Sequence, residues 1–172
     1  MQSFSNTLFA DAETAYSDAA YGIFGVPFDG TTSYKPGCRD APAAIRAASY
    51  NIETYNPYYD IELPDIPFHD MGDLYAECLP DLVVDQVEDV VLDLIKDEKI
   101  PVMMGGEHSV TIGAVRALQP TWYVVCDAHL DMQDEYRGSP FNHDCVTARV
   151  HDVTSQIIII GARSGSREEF VR

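Results

Sequence analysis

Two short stretches, GGEHS at residues 105–109 and DAHLD at residues 127–131, decide how this sequence is interpreted. Each directly follows an apolar run, Ile100–Met104 before the first and Trp122–Cys126 before the second. Short apolar runs followed by polar or glycine-rich residues predict buried β-strands. Both stretches are therefore predicted to lie at the carboxyl ends of strands.

The polar side chains of these stretches are predicted to converge. Because side chains alternate along an extended segment, Asp127, His129 and Asp131 can project to one side of their strand. His108 holds the corresponding position after the other strand. If the strands are parallel neighbours, carboxylates and imidazoles meet in one crevice. That mixture of ligands favours Mn, Fe or Zn over a thiol-preferring ion.

The rest of the chain predicts strands that alternate with helices. Further strands are predicted at Tyr21–Phe28, Ile52–Tyr55, Pro67–Met71 and Gln156–Ile160. Helices are predicted at Ala41–Ser49 with Asp40 as N-cap, at Asp81–Glu98, through Val110 to Leu118 and around Cys145 to Arg149, with residues 1–20 a surface segment or short helix. This alternation is typical of an α/β fold with a mostly parallel sheet. A length of 172 residues predicts a single domain, residues 1–172.

The predicted helix Asp81–Glu98 has two distinct faces. Apolar residues recur at steps of three and four, which predicts a buried stripe; they are Val83, Val87, Val90, Val91, Leu94 and Ile95. Aspartates four residues apart, at positions 85, 89, 93 and 97, form the opposite face. They are spread along the helix rather than converging, so they predict a solvated face and not a cation site.

The composition restricts the class of protein. With 28 acidic and 11 basic residues, of which only three are lysines, the net charge is −17. Such a chain should be repelled by nucleic acids and by anionic membranes. The apolar content of 46% argues against acidic disorder and for a folded protein with a carboxylate-coated surface, suited to a salt-rich cytoplasm. No leader peptide or 18-residue apolar run is present, which predicts a cytoplasmic location with reduced cysteines.

Three further histidines lie outside the two stretches. His143, in the segment PFNHD, follows DAHLD on a loop and can overhang the same crevice, although alone it would be an ordinary loop histidine. His69 and His151 are interpreted as structural residues.

Together these residues carry a resemblance to a known family. GGEHS, DAHLD, the loop GTTSYKPGCRDAPAAIR at residues 30–46 with PFD before it, His143 and IIGARSGSREE at residues 159–169 resemble the ureohydrolases, the arginase and agmatinase family of binuclear manganese enzymes. The resemblance implies a three-layer α/β/α fold and is greatest to archaeal-type agmatinases. Arginases usually carry an asparagine where this chain has Gln133, which favours the decarboxylated substrate agmatine.

The resemblance also implies residue roles. His108 and Asp131 would bind one Mn²⁺, His129 the other, and Asp127 would bridge the two. Asp131 and His143 would be catalytic, with His143 shuttling protons, a task suited to imidazole. A hydroxide held by two ions would attack the guanidinium carbon and release urea and putrescine. The full-length protein would be a homo-oligomer, a trimer or hexamer, acting on a small guanidino substrate.

One family motif is absent. The family continues to a Ser-x-Asp-x-Asp motif that completes the metal site, and no Asp-x-Asp occurs in these 172 residues. The chain therefore resembles the N-terminal two-thirds of an agmatinase and is expected to be inactive alone. The family's strand order 2-1-3-8-7-4-5-6 implies two separate sheet portions here, without the last two strands. Two alternatives stay open: another guanidino substrate, such as guanidinobutyrate or formiminoglutamate, or an inactive metal-binding or interaction form.

Overall fold

The computed structural model describes residues 8–10 and 12–171. The predicted surface segment or short helix at residues 1–20 therefore lies partly outside the described residues, at positions 1–7 and 11. The strands are β1 (Tyr21–Val26), β2 (Tyr55–Asn56), β3 (Ile61–Glu62), β4 (Phe68–Asp73), β5 (Ile100–Gly105), β6 (Tyr123–Cys126) and β7 (Ile157–Ile160). The α-helices are α1 (Ala41–Ser49), α2 (Pro80–Lys96), α3 (Thr111–Leu118), α4 (Val146–His151) and α5 (Arg167–Phe170). Short 3₁₀ turns include Tyr16–Asp18, Cys38–Asp40, His108–Val110 and His143–Cys145.

The main strands form two parallel sheets. The first has the order β4-β1-β5, and the second pairs β6 with β7. β1 pairs with β5 in continuous register from Tyr21 with Ile100 to Val26 with Gly105. The α/β class and its parallel sheets are confirmed, and the two sheets agree with the two portions that the resemblance implied.

β1 lies between helical layers, as its glycines show. A Cβ added at Gly22 would meet the Leu94 side chain of α2 at 2.3 Å, whereas one at Gly25 would meet Pro42 of α1 at 2.9 Å. Residues of opposite parity face opposite sides of a sheet. α1 and α2 therefore cover opposite faces of β1, which is the three-layer arrangement predicted.

Helix α2 supplies half of the buried residues of the main core. Val83, Val87, Val90, Val91 and Leu94 are buried, and they pack with Phe24 and Val26 of β1. The aspartates at positions 85, 89, 93 and 97 are exposed, as predicted. Ile95 was predicted in the buried stripe but is 40% exposed.

A buried ion-pair cluster ties α1 to the end of β4. The Arg46 side chain is completely buried, and its Nε and Nη2 donate to the two oxygens of Asp70 at 2.7 and 2.8 Å. Its Nη1 donates to Asp73. Three charge-assisted hydrogen bonds satisfy a guanidinium that would otherwise be costly to bury.

Two local predictions are wrong. Ile52–Tyr55 is not a sheet strand: β2 begins at Tyr55 and forms an exposed antiparallel hairpin with β3. This run is too short and too poorly covered to bury a face. Asp40 does not cap α1, because its backbone is already helical and its side chain makes no capping bond; the 3₁₀ turn runs directly into the helix.

The strands that precede the two motifs are less buried than predicted. In the described residues, alternate apolar side chains of β5, β6 and β7 are exposed, namely Ile100, Val102, Val124, Ile158 and Ile160. Each strand has only one paired edge or one covered face there. Among all the residues that the structure describes, no helix has the length and apolar character needed to cross a membrane.

Candidate metal centre

The turn after β5 positions His108. The Gly106 N–H donates to Val26 O at 2.9 Å and the Glu107 N–H to Phe28 O at 2.8 Å. A Cβ at Gly106 would lie 2.0 Å from Phe28 O, so glycine is needed where this turn crosses the segment after β1. The next residue, His108, begins a 3₁₀ turn that leads into α3.

The segment after β6 positions the carboxylates. The Asp127 N–H continues the β6–β7 pairing by donating to Ile160 O at 3.0 Å. Asp131 has a φ of 49°, a left-handed conformation that aspartate tolerates better than most residues. Its backbone O accepts a hydrogen bond from Ala148 N–H of α4 at 3.2 Å. These contacts fix Asp127 and Asp131 at the carboxyl end of the second sheet.

His108, Asp127 and Asp131 come together. His108 Nδ1 lies 2.8 Å from Asp131 Oδ2 and 3.6 Å from Asp127 Oδ2. One possible ligand atom from each of the three residues lies within 4.8 Å of those of the other two. Two carboxylates and one imidazole nitrogen suit a divalent ion that accepts oxygen and nitrogen ligands. The residues present therefore fit a metal ion.

His129 lies next to this group but is not part of it. Its Nδ1 is 3.3 Å from Asp127 Oδ1, and its side chain is 63% exposed. Asp127 thus turns one carboxylate oxygen towards His108 and the other towards His129. This arrangement is compatible with a bridging role for Asp127, with His129 on the more open side.

The carboxylates have a strong electrostatic effect on their surroundings. Burial alone would raise the pKa of Asp127, but the His129 N–H and the imidazoles of His108 and His129 outweigh it and lower the pKa. Tyr123, whose hydroxyl is 3.4 Å from His108 Nε2, has its pKa raised to about 12 by burial, Asp131 and Asp127. Burial, Glu169 and Asp131 raise the pKa of Asp144. The site is thus a concentration of negative charge that favours cations.

A cavity of about 450 Å³ joins these residues to His143. Its lining includes His108, Asp127, His129 and Asp131, as well as Thr32, Cys38 and Asp144. His143, in the 3₁₀ turn before α4, packs edge-on against Tyr136 with ring centroids 6.0 Å apart. All five predicted site residues therefore border one cavity.

The sequence interpretation assigned no role to Thr31 and Glu107, although both lie within the quoted motifs. Buried Glu107 accepts a hydrogen bond from the Thr31 hydroxyl at 2.5 Å. The same Thr31 oxygen lies 3.1 Å from His143 Nδ1. Nothing in the spacing of these residues, 76 and 112 positions apart along the chain, indicates this contact.

The remaining two histidines lie outside the cavity. His69 Nδ1 is 2.8 Å from Thr14 O, and its ring packs edge-on against Tyr16. His151 ends α4 and is exposed.

Known proteins resemble this chain in sequence and in fold. An agmatinase from Pyrococcus horikoshii is 46% identical over 154 residues, which cover 88% of this chain and 54% of the relative. An N(1)-aminopropylagmatine ureohydrolase from Thermococcus kodakarensis is 44% identical over 156 residues, covering 88% of this chain and 54% of that protein. The crystal structure of an agmatine ureohydrolase of Thermoplasma volcanium superimposes with a TM-score of 0.91 at 45% identity and covers 98% of this chain and 59% of that one.

The chain thus spans about half the length of the curated relatives that it matches. The family model described as "Arginase family" matches residues 19–172, a range that contains both motifs, the cavity and both parallel sheets. The chain belongs to the arginase family.

Proposed function

We propose that this protein is a ureohydrolase of the agmatinase type, which hydrolyses the guanidino group of agmatine to urea and putrescine in polyamine synthesis. The observation that carries the proposal is the convergence of His108, Asp127 and Asp131 in a cavity that His143 also borders. Membership of the arginase family and the names of the relatives support it. A cytoplasmic location and assembly into trimers or hexamers are parts of the proposal that stay predictions.

Manganese is the proposed metal, with two ions in a complete site. His108 and Asp131 would hold one ion, His129 the other, and Asp127 would bridge them. Two such ions, when bound, would lower the pKa of a water and so supply a nucleophile near neutral pH. The chain's own carboxylates would in addition attract the guanidinium group, because they make the cavity negative.

His143 is proposed to move protons between the cavity and solvent. Its ring is half-buried, so it can contact a substrate while still exchanging protons with water. An imidazole in this position can protonate a leaving amine. Asp144 lies beside it in the cavity lining and would keep a cationic substrate close.

A second substrate is favoured by one specific relative. The Thermococcus kodakarensis protein is named for N(1)-aminopropylagmatine, which is agmatine extended by a further amine. The sequence alternatives, other guanidino compounds or an inactive metal-binding form, also remain to be tested.

The test is urea release by the longest polypeptide that the gene encodes, after loading with Mn²⁺. We expect release from agmatine, and replacement of His143 by alanine should lower kcat by about 10²–10⁴-fold with Mn²⁺ affinity unchanged. Exposed His151→Ala is the matched control and should keep full activity. Faster release from N(1)-aminopropylagmatine would change the substrate, and no release from either compound would favour the inactive form. Loss of Mn²⁺ binding in the His143 variant would show that His143 is a metal ligand and not a proton shuttle.

A salt-rich cytoplasm is proposed from the charge of −17. Crowded carboxylates repel one another more strongly in the folded state than in the expanded chain. Salt screens this repulsion, since the Debye length falls to about 3 Å at about 1 M. We therefore expect the full-length protein to have a higher melting temperature in about 2 M KCl than in about 0.05 M. A melting temperature that is flat or falls with salt would contradict this proposal and favour a cationic partner.

A further inference from the structure

The hydroxyl of Thr31 is the centre of a small hydrogen-bond network beside the metal centre. It donates to Glu107 Oε1 at 2.5 Å. It also lies 3.1 Å from the backbone nitrogen of His143, whose N–H donates to it, and 3.1 Å from His143 Nδ1. One threonine oxygen therefore joins a buried carboxylate to the imidazole that borders the cavity.

Glu107 is fixed as the acceptor of this network. Its Oε2 accepts from the Thr31 N–H at 2.8 Å, and its Oε1 also accepts from the Ser109 hydroxyl at 2.5 Å. Glu107 and Ser109 are both buried. Three donors from two residues thus point at one carboxylate, so both of its oxygens have partners within the protein.

The hydrogen-bond count then determines where the imidazole proton lies. A threonine hydroxyl has one proton to donate and two lone pairs with which to accept. The proton is given to Glu107, so both lone pairs face His143. One accepts the backbone N–H of His143, and the other can accept only if Nδ1 carries a proton.

We infer that Glu107 and Thr31 are positioning residues that hold His143 in its Nδ1–H tautomer, with Nε2 left as the proton-accepting nitrogen. A neutral histidine offers one donor and one acceptor, and the bond made by one ring nitrogen decides the state of the other. The Tyr136 ring, packed edge-on at 6.0 Å between centroids, restrains the imidazole plane. The significance of this tautomer for catalysis rests on the proposed function, whereas the tautomer itself does not.

The test is the ring tautomer of His143, measured by long-range ¹H–¹⁵N NMR on the 172-residue chain without metal or substrate. The signal is assigned by its loss in His143→Gln. We expect the Nδ1–H form in the unmodified chain and in Thr31→Ser, which keeps the hydroxyl. In Thr31→Val the hydroxyl is lost, and the signal should change to the Nε2–H form that a free imidazole prefers. Thr32→Val, in the same loop but bonded to Asp29 O, should leave it unchanged.

Glu107→Gln provides a second variant that retains Thr31. Because the Thr31 N–H can only donate, the carboxamide oxygen must take the Oε2 position and its NH₂ the Oε1 position. The NH₂ then donates to the Thr31 oxygen, which frees the threonine proton for His143 Nδ1. The same change to Nε2–H is expected even if Thr31→Val does not fold.

An Nε2–H signal in the unmodified chain, or an Nδ1–H signal retained in both folded variants, would overturn the inference. The result is separable from the urea assay. A fixed Nδ1–H tautomer in a protein that releases no urea counts against the proposed function alone.

Discussion

Replacing Arg46 by methionine is expected to destabilise the fold by about 3–5 kcal/mol, the usual cost of breaking a buried ion pair by removing one partner. Asp70 would lose two charge-assisted bonds, at 2.7 and 2.8 Å, and Asp73 a third. Asp70 is buried, and its remaining donors among the described residues would be the Phe9 and Gly72 N–H groups. Methionine fills a similar volume, so the loss reports the uncompensated charge and not a cavity. The measurement is the midpoint of chemical unfolding.

Arg167→Met is the matched control, because Arg167 is exposed on α5, and an exposed charge contributes little. Adding Asp70→Asn to Arg46→Met should recover part of the lost stability, since the unpaired charge is then removed. Arg46→Lys should fall between, because an ammonium cannot make the forked contact with Asp70. An Arg46→Met variant as stable as the control would mean that the ion-pair cluster does not hold α1 on the sheet.

Replacing Asp127 by asparagine is expected to remove most of the Mn²⁺ affinity of this chain. Asp127 lies between the two imidazoles, 3.6 Å from His108 Nδ1 and 3.3 Å from His129 Nδ1. The substitution removes a charge that both proposed ions would share. Removal of even an outer-shell partner commonly costs about 10–100-fold in metal affinity, so a larger loss is expected here. The affinity is measured by titrating the chain with Mn²⁺ and monitoring binding by calorimetry or electron paramagnetic resonance.

The unmodified chain should bind Mn²⁺ only weakly, with one site dominant, because four ligands cannot satisfy two ions. His129→Ala should leave that site nearly intact, since His129 is outside the group formed by His108, Asp127 and Asp131. His151→Ala is the control for loss of an exposed histidine. Two tight sites in the unmodified chain would show that the ligand set is more complete than proposed.

The layered α/β fold could be predicted from the sequence because its most regular apolar patterns correspond to side chains that are buried in the folded protein. The spacing of Val83, Val87 and Val91 predicts a helix with a buried face, and these residues form the core. Prediction was wrong where local pattern is weak. Ile52–Tyr55 is a short apolar run, and the strand that begins at Tyr55 is exposed. Asp40 was predicted to cap α1, but it lies in a 3₁₀ turn that continues into the helix, and local propensity does not distinguish such a turn from a cap.

The candidate site was predictable as far as adjacent motifs define it. His108 and Asp131 were expected in one crevice, and the structure places His108 Nδ1 2.8 Å from Asp131 Oδ2. The separation of His129 from that group was not predictable. Alternation along the strand puts all three DAHLD ligands on one side and does not predict how exposed each side chain is. Nor was the Thr31 contact with Glu107 and His143, which depends on the path of the loop after β1.

The pairing of β1 has a consequence for how this protein is synthesised. β1 is one of the most apolar segments in the chain, but its partners come much later: Tyr21 pairs with Phe68 and with Ile100. Because a ribosome adds about 5–20 residues per second, the roughly 80 residues from Tyr21 to Ile100 take about 4–16 s to make. A local hairpin forms within about 1–10 μs of leaving the ribosome, whereas this strand must wait for distant sequence. Each nascent chain therefore passes through a period of seconds in which its central strand lacks its pairing partners and can associate with other chains.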